Sequence, residues 1–144
     1  NYKNTLNISI IEETPFGIYD NDNKKILFSE NLVILEILDN NEYLDLITFY
    51  GNNSINNSKK LLLNFDKNFV NKIKSATFIE NRRWNLILRN AILLKLPEEN
   101  IKSALNYYNK IYANFSNKEL KDIEIIDLRI KNRAFLKYKN KVND

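Results

Sequence analysis

The chain contains no cysteine, no histidine and no methionine. Without cysteine there are no disulfides, thiolate zinc sites or thiol nucleophiles, although a cysteine-free chain suits an oxidising or a reducing compartment equally. Without histidine the commonest general base and the commonest metal ligand are both missing. No glycine-rich phosphate loop is present, and no apolar run approaches the ~20 residues that a membrane-spanning helix needs. A first residue Asn1 and the missing methionine lead to the expectation that these residues are an excised portion of a longer chain, with any membrane anchor upstream.

What remains is ordinary for a folded protein. The 144 residues, 44% hydrophobic and 28% charged, suit one domain, or one domain with a fragment of another. The net charge of +4 comes from basic residues scattered along the chain rather than gathered in a stripe. Lys, Asn and Ile are abundant throughout, as an AT-rich genome would impose whatever the function. Nucleic acid is therefore not expected as a partner.

The centre of the chain is a hairpin. Trp84, Leu86 and Leu88 alternate with Asn85, Ile87 and Arg89, and after Asn90-Ala91 the apolar positions Ile92, Leu94 and Leu96 alternate with Leu93 and Lys95. Asn90 is expected to take the left-handed backbone of the turn, and Pro97 to end the second strand. Upstream, the pattern predicts strands at Thr5–Ile10, Phe16–Tyr19, Lys25–Phe28, Leu32–Glu36, Leu44–Tyr50 and Ala76–Glu80. A helix capped by Ser54 or Asn56 is expected to run to about Phe65, followed by a helical turn or two through Phe69, Val70 and Ile73. Asp20 and Asp22 read as turn residues rather than a calcium loop. Downstream, apolar residues at spacings of three and four predict a covering helix from about Glu98 to Phe115, with Glu98 and Glu99 in its first turn. The last strands are expected at Asp122–Ile130, with Ile123, Ile125, Asp127 and Arg129 on one face, and at Arg133–Tyr138. Asp127 is expected to be tied to Arg129 or to the turn. A long final strand charged only at Arg133, Lys137 and Lys139 reads as either a protected or a docking edge.

Three landmarks then fall in one order: Arg82-Arg83-Trp84-Asn85-Leu86 opening the hairpin, Leu96-Pro97-Glu98-Glu99-Asn100 with Ala104-Leu105 opening the helix, and Ile126-Asp127-Leu128-Arg129 before a terminal strand. In this order the chain, from about residue 5 to 139, resembles the extracytoplasmic part of the bacterial cell-division family FtsQ, known as DivIB in Gram-positive bacteria, and looks most like its alphaproteobacterial branch. The resemblance implies an α+β fold, mainly an antiparallel β-sheet with covering helices, preceded by a fragment of a POTRA domain. Residues 1–20 would be the end of POTRA, residues 21–140 the FtsQ-type β domain and residues 141–144 a tail. It further implies a non-catalytic scaffold of the divisome without cofactors. The whole protein would be anchored in the inner membrane by one upstream helix, with this region in the periplasm.

On that template the domain binds FtsB, in complex with FtsL, by adding a strand of the partner to the final edge. The implied contact residues are Arg133, Ala134, Phe135, Leu136 and Tyr138 along the edge, with Arg129 beside them. Ile130 stands where other members often carry an aromatic that touches the partner, and Arg82 or Arg83 matches a basic position that pairs with partner carboxylates. The competing expectation is a carboxylate-dependent cell-wall glycan hydrolase using Glu12 with Glu13 or Asp122 with Glu124. Adjacent residues on a strand point to opposite faces, and Asp122 with Glu124 sit on an open surface, which disfavours both pairs.

Overall fold

The hairpin at the centre of the sequence is also at the centre of the molecule. In the computed structural model, which describes residues 4–39 and 43–140, nine strands form one sheet. They are β1 (Pro15–Asp20), β2 (Lys25–Ser29), β3 (Ile34–Leu38), β4 (Ile47–Tyr50), β5 (Ile73–Ile79), β6 (Arg83–Leu88), β7 (Leu93–Lys95), β8 (Ile123–Asp127) and β9 (Phe135–Tyr138). Their spatial order is β3-β2-β1-β4-β5-β6-β7-β8-β9. Hairpin and turn neighbours pair antiparallel, whereas β1 with β4, β4 with β5, and β7 with β8 pair parallel. Parallel neighbours need long crossovers, and two of them are helical. Helices α1 (Ser54–Leu62) and α2 (Lys67–Val70) join β4 to β5, while α3 (Ile101–Tyr112) and α4 (Asn117–Asp122) join β7 to β8. The fold is α+β, as expected.

Alternation in β6 decides the core. Trp84, Leu86 and Leu88 are buried, and Ile92, Leu94 and Leu96 continue the same buried row. Leu105 and Tyr108 of α3 and Phe69 of α2 close over it, with Phe69 meeting Tyr108 edge to face at 5.8 Å. A second, small cluster of Ile18, Leu27 and Leu38 lies beneath the β1-β2-β3 end. Between the two, Gly17 leaves room for aromatic rings, since a Cβ there would stand 2.7 Å from Phe49.

Several expectations about local structure are corrected. Residues 4–14, expected to hold a strand at Thr5–Ile10, have no regular structure, and the sheet begins at Pro15. The turn of the central hairpin puts Ala91, not Asn90, in the left-handed region (φ 68°), while the Asn90 side chain accepts a bond from the Ile92 N–H at 3.3 Å. Ser54 is the buried first residue of α1 rather than its cap, and left-handed Asn53 (φ 60°) precedes it. Ile73, expected in a helical turn, begins β5; α2 is a single short turn whose Asp66 cap accepts from Phe69 N–H at 2.8 Å.

Helix α3 starts at Ile101 because Pro97 and left-handed Asn100 (φ 58°) keep Glu98 and Glu99 outside it. Residues 117–122 form α4, fixed by a reciprocal capping box between Ser116 and Glu119, so β8 begins at Ile123 instead of Asp122. In β8 an extra residue, Glu124, sits between the pairs Ile123–Tyr138 and Ile125–Lys137. The bulge shifts the faces, so that Ile123 is buried with Ile126 and Leu128 rather than sharing the face of Ile125 and Asp127. The last strand is short: Arg133 and Ala134 precede it.

Candidate functional site

Strand β9 pairs with β8 on one side and forms one margin of the sheet. Two bonds fix which of its backbone groups are free. The Leu128 N–H donates to the Lys95 carbonyl on the β7 side at 2.9 Å, so Asp127 turns its backbone toward β9 and its partner Phe135. The Lys139 N–H donates to the Asp122 carbonyl at 2.8 Å, so Lys139 and, by alternation, Lys137 also face inward. Leu136 and Tyr138 are left to direct their N–H and C=O outward. The bulge lies on β8, not on β9, so this outward row is regular.

Side chains add an apolar fringe to the row. Phe135 is 53% exposed and Tyr138 49%, while Leu136 and Ala134 lean against the core. Lys137 is held across the pair by Glu124, Nζ to carboxylate 2.9 Å, and the Lys139 ammonium donates to the Lys121 carbonyl at 2.7 Å.

Beside the N-terminal end of β9 an open groove of about 530 Å³ runs between the start of α3 and residues 128–133. Glu98, Glu99 and Tyr107 form one wall; Arg129, Lys131 and Arg133 form the other, with exposed Ile130 between them. Asn132 is left-handed (φ 56°), the expected chemistry for the turn that carries the chain back into β9.

The arginines expected to meet a partner differ in availability. Arg129 clasps Asp127, its Nε within 2.9 Å of Oδ1 and its Nη2 within 2.6 Å of Oδ2, and its own N–H donates to Oδ1 at 3.1 Å. Burial pushes the Asp127 carboxyl up, but these bonds and the charges of Arg129 and Lys95 outweigh it and hold the group below its ordinary value. Arg82 donates to Glu80 through Nη2 at 2.8 Å and Nε at 3.1 Å, and its Nη1 lies 3.7 Å from Glu98 on the groove rim. The hydrogen bond from Arg82 lowers the Glu80 pKa, and the same bond raises that of Arg82. Arg83 stands 3.7 Å from Glu80 and does not line the groove. Thus Arg129, Ile130 and Arg133 are brought together, Arg82 reaches them only through Glu98, and Arg83 stays apart.

Glu98, Glu99, Tyr107 and Lys131 were not expected at the site. Tyr107 carried the one usable signal, because it is an aromatic off the buried stripe of α3. One carboxylate of each pair proposed for hydrolysis is otherwise engaged: Glu124 holds Lys137, and Glu13 accepts from Asn31 Nδ2 at 3.2 Å. Among the described residues no group of carboxylates could hold a metal ion, and no helix is long and apolar enough to cross a membrane.

The chain is similar to proteins named cell division protein FtsQ. It is 26% identical over 136 residues to that of Rhizobium radiobacter, covering 92% of this chain and 64% of the relative. The protein of Rickettsia felis is 31% identical over 137 residues, with 92% and 50% covered, and that of Rickettsia bellii 31% over 136 residues, with 92% and 49% covered. The chain thus spans about half to two thirds of the length of these relatives. The sequence model of the family described as "Cell division protein FtsQ/DivIB, C-terminal" matches residues 17–129, from β1 through the Asp127–Arg129 clasp, and the chain belongs to the FtsQ/DivIB family of cell-division proteins.

Proposed function

We propose that this chain is a non-catalytic docking domain of the divisome that takes a strand of FtsB, in its complex with FtsL, onto the outward row of β9. The observation that carries this reading is the regular free edge at Leu136 and Tyr138, fringed by exposed Phe135 and Tyr138. A partner segment laid there gains main-chain hydrogen bonds from the outward groups and apolar contact from the rings. Ile130, Arg133 and Ala134 lie where the partner chain passes from the edge into the groove, so it extends beyond the four residues of β9. Because β1 is part of the sheet, the end of a POTRA domain falls before Pro15 rather than over residues 1–20, and an upstream helix holds the whole protein in the inner membrane with this domain in the periplasm.

The test is a titration of isotope-labelled protein with a peptide from the periplasmic part of the same organism's FtsB, followed by backbone amide shifts and exchange protection. Protection gained at Leu136 and Tyr138 is expected, with shifts confined to residues 128–139. Tyr138→Pro removes an outward N–H without touching a bond to β8, so binding should fall at least about tenfold while the thermal midpoint stays close to wild type. An unchanged spectrum, or full affinity in the proline variant, rejects strand addition at this edge.

A further inference from the structure

Lysine at a sheet margin commonly serves to repel other edges, and two lysines, Lys137 and Lys139, stand at the end of the terminal strand. Here both ammonium groups are already engaged. Lys137 is tied to Glu124 at 2.9 Å across the β8–β9 pair. Lys139 is tied to the end of α4, where the last carbonyls carry the negative end of the helix dipole and need donors from outside the helix. The Leu120 carbonyl receives the Ile123 N–H. The next two, of Lys121 and Asp122, receive the Lys139 ammonium at 2.7 Å and the Lys139 N–H at 2.8 Å. One residue thus closes the helix with its side chain and its backbone together. Tyr138, which turns its N–H and C=O outward, lies between the two tethered lysines.

We propose that Lys139 is a positioning residue of the docking edge: by capping α4 it holds Tyr138 extended, with its outward groups in line with those of Leu136. The proposal rests on the strand-addition reading and adds how the edge is kept ready for its partner. Strand β9 has four residues and one neighbour in the sheet, and such an end frays unless it is tied down. Because α4 runs directly into β8 at Ile123, the carbonyls that Lys139 grips are themselves fixed by the sheet. An edge ordered before the encounter spares association the cost of ordering it.

The experiment compares Lys139→Met, Lys139→Arg and Ser116→Ala with wild type by the peptide titration above, by the heteronuclear NOE of the Tyr138 amide and by thermal unfolding. Methionine keeps the side-chain stem and removes the donor. It is expected to lower the Tyr138 NOE in the free protein and to weaken the peptide about fivefold, since only molecules with an ordered edge are competent to bind. Arginine also donates and should restore both readouts to within about twofold of wild type. Ser116→Ala opens the capping box at the far end of α4 and leaves the Lys139 bonds in place, so it should lower the thermal midpoint while affinity stays within about twofold. A methionine variant that binds as tightly as wild type overturns the inference, whatever its Tyr138 dynamics, and strand addition stands. So does an equal loss of affinity in Ser116→Ala, which would trace the effect to the stability of α4 at large. If wild type does not bind the peptide, the docking reading falls and this inference with it.

Discussion

The two margins of the sheet look alike in outline and differ in construction. Both β3 and β9 are short, and each leaves one side of its backbone unpaired with large apolar residues exposed: Ile34 and Ile37 on β3, Phe135 and Tyr138 on β9. On β3 the pairs Leu27–Glu36 and Phe28–Ile34 leave Leu35 as an extra residue, so the bulge interrupts the edge strand itself. On the other side the extra residue is Glu124 of β8, one strand in, and β9 stays regular. A bulge in an edge strand is a standard guard against edge-to-edge pairing. The ladder of one margin is interrupted in the edge strand itself, whereas the other margin presents a regular row. Exposed apolar area alone would not have told them apart.

The two margins also rest on different floors. Ile126, fully buried beneath β9, belongs to the main cluster that includes Trp84, Leu94 and Tyr108, whereas Leu27 beneath β3 belongs to the three-residue cluster with Ile18 and Leu38. Ile126→Ala should cost about 2–5 kcal/mol in urea unfolding, and Leu27→Ala should fall toward the lower end of that range because the small cluster can relax around the lost volume. Equal losses would mean that both edges share one cooperative floor, and the contrast in support would disappear.

Deleting Leu35 tests the guard directly. The deletion brings Glu36 and Ile34 into continuous register against Leu27 and Phe28, making β3 as regular as β9. Concentration-dependent self-association in sedimentation velocity is expected from the deletion and not from wild type. A deletion variant that stays monomeric would show that charge and twist, rather than the bulge, keep this margin unpaired.

These devices were unevenly legible in the sequence. The central hairpin could be read because its ladder is uninterrupted, and period two in Trp84–Leu88 and Ile92–Leu96 maps directly onto burial. The start of α3 could not, because left-handed Asn100 is set by the loop geometry after Pro97 and leaves no mark in the apolar stripe. In β8 the alternation was present but displaced by the Glu124 bulge, which is why Ile125 was expected with Ile123. The terminal strand was found, yet its inward and outward rows required the bonds from Leu128 and Lys139. The groove was invisible, since residues 98–107 and 128–133 meet only after α3 and α4 have folded between β7 and β8.

The approaches to the two edges should also respond differently to acid. The turn into β3 is held by a neutral hydroxyl: Asn31 and Val33 N–H both donate to Ser29 Oγ at 3.2 Å. The segment leading to β9 is held by the Asp127 carboxylate on Arg129. Because the folded-state pKa of Asp127 is depressed, the folded chain binds fewer protons than the unfolded one through the acid range. The stability from this clasp is therefore complete above the unfolded carboxyl value of about 4 and is lost as pH falls through the folded value. Asp127→Asn should cost about 1–2 kcal/mol at neutral pH, and its difference from wild type should shrink below about pH 4. Ser29→Ala should cost a smaller amount that is the same at both pH values, because the carboxylates near that turn, Glu13 and Glu30, remain in both proteins and cancel in the difference. Thermal unfolding of the three proteins at neutral and acid pH separates the two cases. A penalty for Asp127→Asn that does not vary with pH would mean that the clasp works by shape rather than charge, and that the approach to β9 is no more acid-sensitive than the approach to β3.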